Sequence, residues 1–435
     1  MIGAGLAGCE AAWQAARRGV DVTLVEMKPA ERSPAHHSDA FAELVCSNSL
    51  RSNRVSSAVG LLKEEMRRLD SLVLAAADEA AVPAGQALAV DRELFARRIT
   101  DTLLAHPRVS LESRRVDEIP DERPVVLATG PLTAGGLAGD LQRVLGEEYL
   151  YFYDALSPIV HADSIDLDTA FRASRYEDGP GDYLNLPLER DDYERFVEAL
   201  LTADTVPLHD FEAALYFEGC LPIEEMARRG RDTLAYGPMK PVGLRDPRTG
   251  RRPHAVVQLR QEDKRGLLYS WVGFQTKLRV GEQRRIFRSL PGAGEAVFAR
   301  YGSVHRNTYL NAPRQLGPWL ELRARPGVYV AGQLAGVEGY VESAALGGLA
   351  GAFAAARERG EAPPRPASTT AHGALLGFLA EADAKRFQPM NVNFGLFPPL
   401  EGAPRLRRRE RYERLAERAL DALAPFAAAG AAGPA

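Results

Sequence analysis

The stretch that decides the fold is GAGLAG at residues 3–8, a GxGxxG motif that opens the chain. A helix-like segment from Cys9 to Arg18 follows it, and Val20 to Val25 then has the composition of a buried strand. In a dinucleotide-binding βαβ unit the first glycine makes a tight turn, the second admits a pyrophosphate, and the third lets helix and strand pack closely. The helix N-terminus supplies free N–H groups for the phosphates. The motif therefore predicts a dinucleotide site.

An acidic residue at the right distance strengthens this prediction. Glu26 stands 18 residues after Gly8, at the tip of the second predicted strand, where a carboxylate accepts hydrogen bonds from ribose hydroxyls. The alternative is a glycine-rich turn without a ligand. Because only Met1 and Ile2 precede the motif, we expect most of the first strand, a few apolar residues, to be missing from the start of this sequence.

Two further segments favour FAD over NAD. The predicted strand 125–127 ends in Ala128-Thr129-Gly130, and a later strand, 328–330, runs into Gly332 and Gln333. An Ala/Gly-rich helix from about Val341 to Arg359 follows, and its N-terminus would favour negative charge on a flavin ring. NAD domains rarely need this second strand–glycine–helix element. The alternative is that the Ala/Gly-rich composition of this helix is coincidental and unrelated to a flavin site.

The segment between these two parts has a different character, richer in Tyr, Pro and short strands. We therefore predict an α/β fold, a Rossmann-like FAD-binding domain of the two-dinucleotide-binding flavoprotein type with an inserted α+β domain. The expected boundaries are 1–150 for the first part of the FAD domain, 151–304 for the insertion, and 305–435 for the second part with C-terminal helices.

Composition excludes several classes of protein. The chain has 435 residues, 46% of them apolar and 26% charged, which is a globular balance. Three cysteines without a CxxC pair exclude a disulfide scaffold and zinc fingers, so we expect free thiols, no metal and a cytoplasmic location. We expect neither a membrane span nor a secretory signal. A net charge of −4 excludes a globally basic nucleic-acid binder but allows local basic surfaces.

The three cysteines differ in their surroundings. Cys9 lies on the first predicted helix and is expected to pack in the core. Cys46 is followed by polar, turn-forming residues, so both a functional and a structural role stay open. Cys220 precedes a helix that Pro222 begins and Gly230 ends, a position that in general lowers the pKa of a thiol. A thiolate there is competent for conjugate addition, although the position also suits any small residue.

Basic and planar residues indicate further binding segments. Residues 221–265 hold 11 Lys/Arg against 6 Asp/Glu, and residues 405–418 hold 7 Arg against 3 Glu, so both attract phosphates. The second segment is equally compatible with a solvated amphipathic helix. Planar heterocycles bind by stacking with a few polar contacts. The candidate substrate-binding residues of this type are His305, Arg306, Asn307, Asn391 and Asn393.

At this point the motifs resemble one family closely, the bacterial folate- and FAD-dependent tRNA (uracil-5-)-methyltransferases of the TrmFO type. The resemblance covers nearly the whole chain. The matching motifs are GAGLAG at 3–8, ELVCSNSLRS at 43–52, FEGCLPIEEMARRG at 217–230, GPMKPVGL at 237–244, GFQTKL at 273–278, HRNT at 305–308, GQLAGVEGYVESAALG at 332–347 and FQPMNVNFGLFP at 387–398.

The resemblance implies a chemistry. Methylenetetrahydrofolate gives a one-carbon unit to the flavin, which passes it to C5 of a uridine in the tRNA T-loop, and NADPH or NADH is the reductant. It also implies that Cys220 adds to uracil C6, that Cys46 is a second essential thiol, and that His305 stacks on the pteridine. The residues expected to hold FAD are Gly3, Ala4, Gly5, Leu6, Ala7, Gly8, Glu26, Ala128, Thr129, Gly130, Gly332, Gln333, Gly339 and Tyr340.

Three rival functions stay open. A GidA-type modifier of the tRNA wobble uridine shares the flavin domain, but such chains are longer and carry a C-terminal helical domain. A generic FAD oxidoreductase would act on a small molecule and have no affinity for tRNA. A flavin-containing RNA-binding or redox-sensing protein would bind FAD and tRNA without transferring carbon. The oligomeric state and the choice between NADPH and NADH are not determined by these motifs.

Overall fold

The computed structural model describes residues 1–133, 135–146, 150–177, 179, 181–207, 221–401 and 406–431, without the side chains of 150–154, 305–306 and 429–431. The strands of this part of the chain are β1 Val22–Glu26, β2 Ser49–Ser52, β3 Ala81–Val82, β4 Ala87–Val90, β5 Val109–Ser113, β6 Val125–Leu127, β7 Leu150–Ala155, β8 Ile159–His161, β9 Phe171–Ala173, β10 Tyr183–Leu188, β11 Ala255–Gln261, β12 Leu268–Trp271, β13 Phe298–Arg300, β14 Val304–Tyr309 and β15 Val328–Val330. The helices are α1 Leu6–Arg17, α2 Ala58–Arg68, α3 Leu72–Glu79, α4 Arg92–Leu104, α5 Gly135–Leu145, α6 Arg190–Leu201, α7 Ile223–Arg228, α8 Thr233–Tyr236, α9 Val280–Phe287, α10 Ala312–Gln315, α11 Tyr340–Glu358, α12 Ala371–Glu381 and α13 Arg408–Ala431.

A parallel sheet forms the nucleotide-binding part. Strand β1 pairs in parallel with β5, and β15 pairs in parallel with β6. Ile2 joins the two pairs through parallel bridges to Val25 and Leu127, and its N–H donates to Val126 O at 2.9 Å. Ile2 thus occupies the central position where a longer first strand was expected. The α/β prediction is confirmed, since α1 follows this strand directly.

Small residues let two helices pack closely beside this sheet. A methyl group on Gly347 of α11 would lie 2.1 Å from Ala7 O, and one on Gly351 would lie 2.2 Å from Ala11 O. Such contacts exclude any side chain at these two positions of α11. The Ala/Gly-rich composition of the predicted helix is therefore a packing requirement, and its observed bounds differ from the predicted ones by one residue at each end.

A six-stranded antiparallel sheet in the order β13-β8-β12-β11-β10-β9 belongs to a second hydrophobic core. The rings of Trp271, Phe274 and Phe287 contact one another there, with centroids 5.3–5.7 Å apart. We call this sheet and the helices α6, α7 and α9 beside it the sheet unit. Its buried residues run from Val160 to Ala296, within the segment whose composition changes.

The two parts meet along the motif at residues 43–52. Asn48 donates through its side-chain amide to Val90 O at 3.0 Å and to Gln261 O of the sheet unit at 2.9 Å. Nearby, the Tyr183 hydroxyl donates to Ala84 O at 3.0 Å. The fold therefore places the segment that carries Cys46 between the nucleotide-binding part and the sheet unit.

In the described ranges we find no helix with both the length and the apolar character that crossing a membrane requires. The same ranges contain no group of three or more His, Cys, Asp or Glu residues arranged to hold a metal ion.

Candidate functional site

A cavity of about 480 Å³ lies at the N-terminus of α1 and the carboxyl ends of β1, β6 and β15. Ligands of doubly wound sheets bind at this edge. The predicted cofactor residues that line the cavity are Gly3, Ala4, Gly5, Leu6, Ala7, Glu26, Ala128, Thr129, Gly130, Gly332, Gln333 and Tyr340. Gly8 lies behind this surface, where a methyl group would be 1.8 Å from Gly3 O, as expected for a glycine that allows close packing.

The glycines around the cavity fit a dinucleotide. A methyl group on Gly5 or Gly130 would meet no protein atom within 4 Å, so both residues border open space. Gly5 is also the N-cap of α1, and no side chain caps this helix. The first N–H groups of α1 are therefore available to an anionic group, and the open space lets a pyrophosphate approach them.

Glu26 is held in place by backbone N–H groups. Its carboxylate accepts hydrogen bonds from the Ala4 N–H at 2.6 Å and the Lys28 N–H at 3.1 Å, and the residue is 6% exposed. An ionised carboxylate has about four acceptor positions, so these two bonds orient Glu26 and leave capacity for a ligand. The contact with ribose hydroxyls stays a prediction.

The substitution Glu26→Ala is expected to raise the dissociation constant for FAD about tenfold or more, because a charge-assisted hydrogen bond contributes about 1.5–3 kcal/mol. Glu31→Ala is the matched control, since Glu31 lines the same cavity but its carboxylate pairs with Arg115 and is half exposed. Titration of the two apo-proteins with FAD measures both constants. An unchanged affinity in Glu26→Ala would exclude the ribose contact.

Cys46 lies at the Tyr340 end of the cavity. Its N–H donates to the Tyr340 hydroxyl at 2.7 Å, and the Ser47 N–H donates to the same oxygen at 3.3 Å. Tyr340 begins α11, and both Tyr340 and Val45 line the cavity. Burial raises the pKa of Tyr340, so its hydroxyl stays neutral and accepts these bonds. We call residues 44–48 the thiol loop; it borders the predicted flavin site.

Three arginines that lie outside the thiol loop donate hydrogen bonds to it. Arg92 donates to Leu44 O and, at 3.4 Å, to Cys46 O, while Glu262 pairs with Arg92 at 2.5 Å. Arg300 donates to Val45 O at 3.0 Å and to Cys46 O at 3.2 Å. Arg260 donates to the side chains of Asn48 and Ser47, both at 2.8 Å. The position of the loop is therefore defined by side chains from both parts of the molecule.

The strand after the thiol loop is fixed by a buried lysine. Lys63 is fully buried, and its ammonium group donates to Leu50 O, Arg51 O and Ser52 O at 2.7–3.1 Å. Burial lowers the pKa of Lys63 to about 7. The Arg51 guanidinium pairs with the buried carboxylate of Glu342 on α11. The motif at 43–52 is therefore tied to α2 and to α11 as well.

The other two cysteines are placed differently. Cys9 is fully buried, its sulfur lies 3.2 Å from Ala4 O, and burial raises the pKa of its thiol, so its core role is confirmed. Cys220 lies outside the described residues. The helix predicted after it is α7, Ile223–Arg228. The buried Glu224 of α7 accepts bonds from the Thr276 hydroxyl at 2.9 Å and the Lys277 N–H at 2.8 Å, which anchors this helix to the GFQTKL motif.

The predicted substrate-binding residues fall on two segments. His305, Arg306 and Asn307 lie on β14, which pairs with β7; the first two side chains are outside the described part, and Asn307 is buried. Asn391 donates to Glu338 O at 2.6 Å, and the side chain of the exposed Asn393 accepts from the Gly395 N–H at 3.0 Å. Asn391 therefore lies near the start of α11, and contact with substrate stays a prediction for all five.

The sequence motifs do not indicate Lys63, Arg92, Arg260 or Arg300 as residues of the site. Arg92, Arg260 and Arg300 are 44 or more residues away from the thiol loop in the sequence, and none stands in a motif with a local physical meaning. One local signal stands beside Arg92, which directly follows Asp91, a residue type that commonly caps a helix and does so at the start of α4. The contacts of the others depend on long-range packing.

Comparison with known proteins gives consistent results. Residues 1–362 match the family model described as GIDA, glucose inhibited division protein A. A protein of Geobacter sulfurreducens named methylenetetrahydrofolate--tRNA-(uracil-5-)-methyltransferase TrmFO is 58% identical over 97% of this chain and 96% of its own length. A protein of Desulforudis audaxviator with the same name is 57% identical over 98% and 97%.

Two solved structures of GidA from Aquifex aeolicus have the same fold. They superpose with TM-scores of 0.69 and 0.67 at 17% and 16% identity. Each covers 97% of this chain, and this chain covers 75% and 73% of the GidA chains. At this identity the likeness establishes the fold alone, and it shows that the GidA chains are longer.

Proposed function

The chain belongs to the TrmFO family of methylenetetrahydrofolate–tRNA-(uracil-5-)-methyltransferases, and from this membership we propose how its site methylates C5 of a uridine in the tRNA T-loop. Methylenetetrahydrofolate is the one-carbon donor, FAD is the carrier, and NADPH or NADH is the reductant. The observation that supports the scheme most is the thiol loop, whose Cys46 N–H is bonded to Tyr340 at the end of the FAD cavity.

The chain's own residues provide the cofactor site. The N–H groups at the start of α1 bind the pyrophosphate, and Glu26 binds the ribose. The glycines at 5 and 130 leave the space that the cofactor requires. When bound there, FAD would supply the chemistry of one-carbon transfer from folate to the pyrimidine. Tyr340 and the N-terminus of α11 lie where the cavity meets the thiol loop, so we assign the reactive end of the cofactor to this side.

The proposed role of Cys220 follows from the chemistry of uracil. C5 of uracil is a poor nucleophile until a thiolate adds to C6, which gives an enolate with electron density on C5. After C5 has taken the one-carbon unit, a base removes the C5 proton and the C6–sulfur bond breaks, which releases the thiolate. A methylene unit needs two more electrons to become a methyl group, and NADPH or NADH supplies them. We assign the addition to Cys220 and keep Cys46 as the second essential thiol.

The organisation that we propose keeps the predicted boundaries: an FAD-binding domain at 1–150 and 305–435, and an inserted substrate domain at 151–304. The separate hydrophobic core of the sheet unit supports this division. We place the reaction in the cytoplasm, where the tRNA substrate is found.

A labelled-carbon assay tests the function. Purified protein is incubated with FAD, NADPH, unmodified tRNA and methylenetetrahydrofolate labelled at the methylene carbon, and the RNA is digested to nucleosides. We expect label in 5-methyluridine, and none when the folate is omitted. Flavin reduction without label in RNA would favour the generic oxidoreductase or the RNA-binding flavoprotein. Label in a modified uridine other than 5-methyluridine would favour the GidA-type activity.

We expect the basic segment of the sheet unit to contact tRNA phosphates. Arg245, Arg251 and Arg252 are all exposed. Changing the three to glutamine is expected to weaken tRNA binding and to reduce the slope of log affinity against log salt by about 2–3, because each phosphate contact contributes about 0.7–0.9. Filter binding at several salt concentrations measures the slope. The rate of flavin reduction by NADPH should not change.

Two comparison variants make this test specific. Arg97, Arg98 and Arg108 are also exposed but lie on or near α4, and their change to glutamine should leave tRNA binding unaltered. The same change in the basic run 407–409, at the start of α13, tests the other candidate segment. An effect there, without one in the first variant, would move the RNA surface to the C-terminal helix.

A further inference from the structure

Several hydrogen bonds of the thiol loop come from a part of the molecule to which the loop does not belong. The loop follows β1 in the nucleotide-binding part, yet Arg300 of β13 donates to Val45 O and Cys46 O at 3.0 and 3.2 Å. Arg260 of β11 holds the next two residues through their side chains. Both strands belong to the six-stranded sheet, so this sheet contacts the loop residue by residue.

The burial of these groups indicates more than a stabilising role. Arg260 is 9% exposed and Glu262 is 3% exposed, and Glu262 pairs with Arg92. Arg260 and Arg300 also interact electrostatically with Glu262, so one buried carboxylate offsets only part of the charge of three guanidinium groups beside the loop. Burying charge in excess of its counter-charge costs free energy, and apolar residues would stabilise such an interface at least as well. What the arginines add is a defined hydrogen-bond geometry, because a guanidinium presents several donors in a rigid plane.

We propose that Arg300 and Arg260 are positioning residues for Cys46, so that the sheet unit shares with the flavin-binding part in setting the place of this thiol beside the cavity. The proposal rests on the role of Cys46 in the proposed function. Arg300 fixes the carbonyl of Cys46 itself, while the Tyr340 hydroxyl fixes its N–H. The two bonds hold the Cys46 backbone from opposite sides of the junction.

Alkylation of the apo-protein tests the positioning without any need for activity. Iodoacetamide is applied at pH 10, where thiols in general are ionised, and the modified cysteines are identified by peptide mass spectrometry. In Arg300→Gln the loop loses two backbone bonds, so the rate at Cys46 is expected to rise about fivefold through local opening. The buried Cys9 serves as an internal reference for global unfolding.

Arg288→Gln is the matched control. Arg288 is also partly buried in the sheet unit, and it donates to the carbonyl of Ala296 at 2.9 Å. This bond does not involve the thiol loop. The rate of alkylation at Cys46 in Arg288→Gln should equal that in the wild type. Arg300→Lys should give an intermediate rate, since an ammonium group cannot reproduce the planar pair of bonds. If Arg300→Gln does not fold, Arg300→Lys and Arg260→Lys carry the same comparison.

The outcomes separate this proposal from the proposed function. A Cys46 rate that is unchanged in the Arg300 and Arg260 variants would overturn the positioning role, whatever the activity. A raised rate supports it. If the alkylation rate rises while methyl transfer to tRNA stays normal, the positioning role is supported and the catalytic role of Cys46 is contradicted. We expect methyl transfer to fall about tenfold, with flavin reduction by NADPH within about twofold of the wild type.

Discussion

Cys220→Ala is expected to abolish methyl transfer to tRNA while the protein still binds FAD and still reduces it with NADPH. The reason is chemical: without a thiolate at C6, uracil C5 does not become nucleophilic. Removal of a catalytic nucleophile typically lowers kcat by about 10⁴-fold or more. Single-turnover formation of labelled 5-methyluridine measures the effect, and the flavin absorbance followed after NADPH addition measures the step that should survive.

The other cysteines supply the controls for this experiment. Cys9 is fully buried away from the cavity surface, so Cys9→Ala should retain methyl transfer. Cys46→Ala should also lose methyl transfer, and the step at which each variant stops would separate the roles of the two thiols. Normal methylation in Cys220→Ala would remove the assignment of the nucleophile.

Gly5→Val is expected to abolish tight FAD binding without unfolding the chain. At Gly5 an added methyl group meets no protein atom within 4 Å, and the backbone has φ −74°, which any residue adopts. The isopropyl group would therefore occupy only the space that a pyrophosphate needs to reach the N–H groups of α1. We expect the dissociation constant for FAD to rise by about 100-fold or more, since two or three charge-assisted hydrogen bonds are lost.

A second glycine with open surroundings provides the control for this variant. Gly377 in α12 also has no protein atom within 4 Å of an added methyl group, but it does not line the cavity. Gly377→Val should bind FAD with the wild-type constant. The thermal midpoints of both apo-variants should lie within a few degrees of the wild type. Gly5→Val protein that purifies yellow, with a full complement of FAD, would contradict the placement of the pyrophosphate.

The nucleotide-binding part could be predicted because its determinants are local. The glycine motif, the acid 18 residues after it and the Ala/Gly-rich helix each act over a few residues, and each was found where the sequence indicated. Helix α4 shows the same kind of local signal, because the Asp91 carboxylate accepts hydrogen bonds from two N–H groups at its start. Local signals of this kind depend on the backbone and on its immediate neighbours.

The centre of the sheet lies where the glycine motif indicated. Ile2 forms parallel bridges to β1 and β6, at the place of the first strand of a dinucleotide-binding unit. That most of this strand is missing from the start of the sequence stays a prediction.

The surroundings of Cys46 could not be predicted for a different reason. The residues that hold the thiol loop come from α4, β11, β13 and α11, and their approach depends on how two hydrophobic cores meet. No periodicity or spacing in the sequence indicates how the two hydrophobic cores pack against each other. Polar neighbours favoured a functional Cys46 only weakly, whereas its bond to Tyr340 places it beside the cavity.

The central claim is that the thiols, the FAD cavity and the target uridine form one site. The most direct test is a crystal structure of the FAD-bound protein with a T-loop stem-loop RNA. The account predicts that the uridine enters at the Tyr340 end of the cavity, that the Cys220 sulfur lies about 3–3.5 Å from its C6 atom, and that Cys46 borders the same space. A uridine bound away from this cavity, with both sulfurs out of its reach, would contradict it.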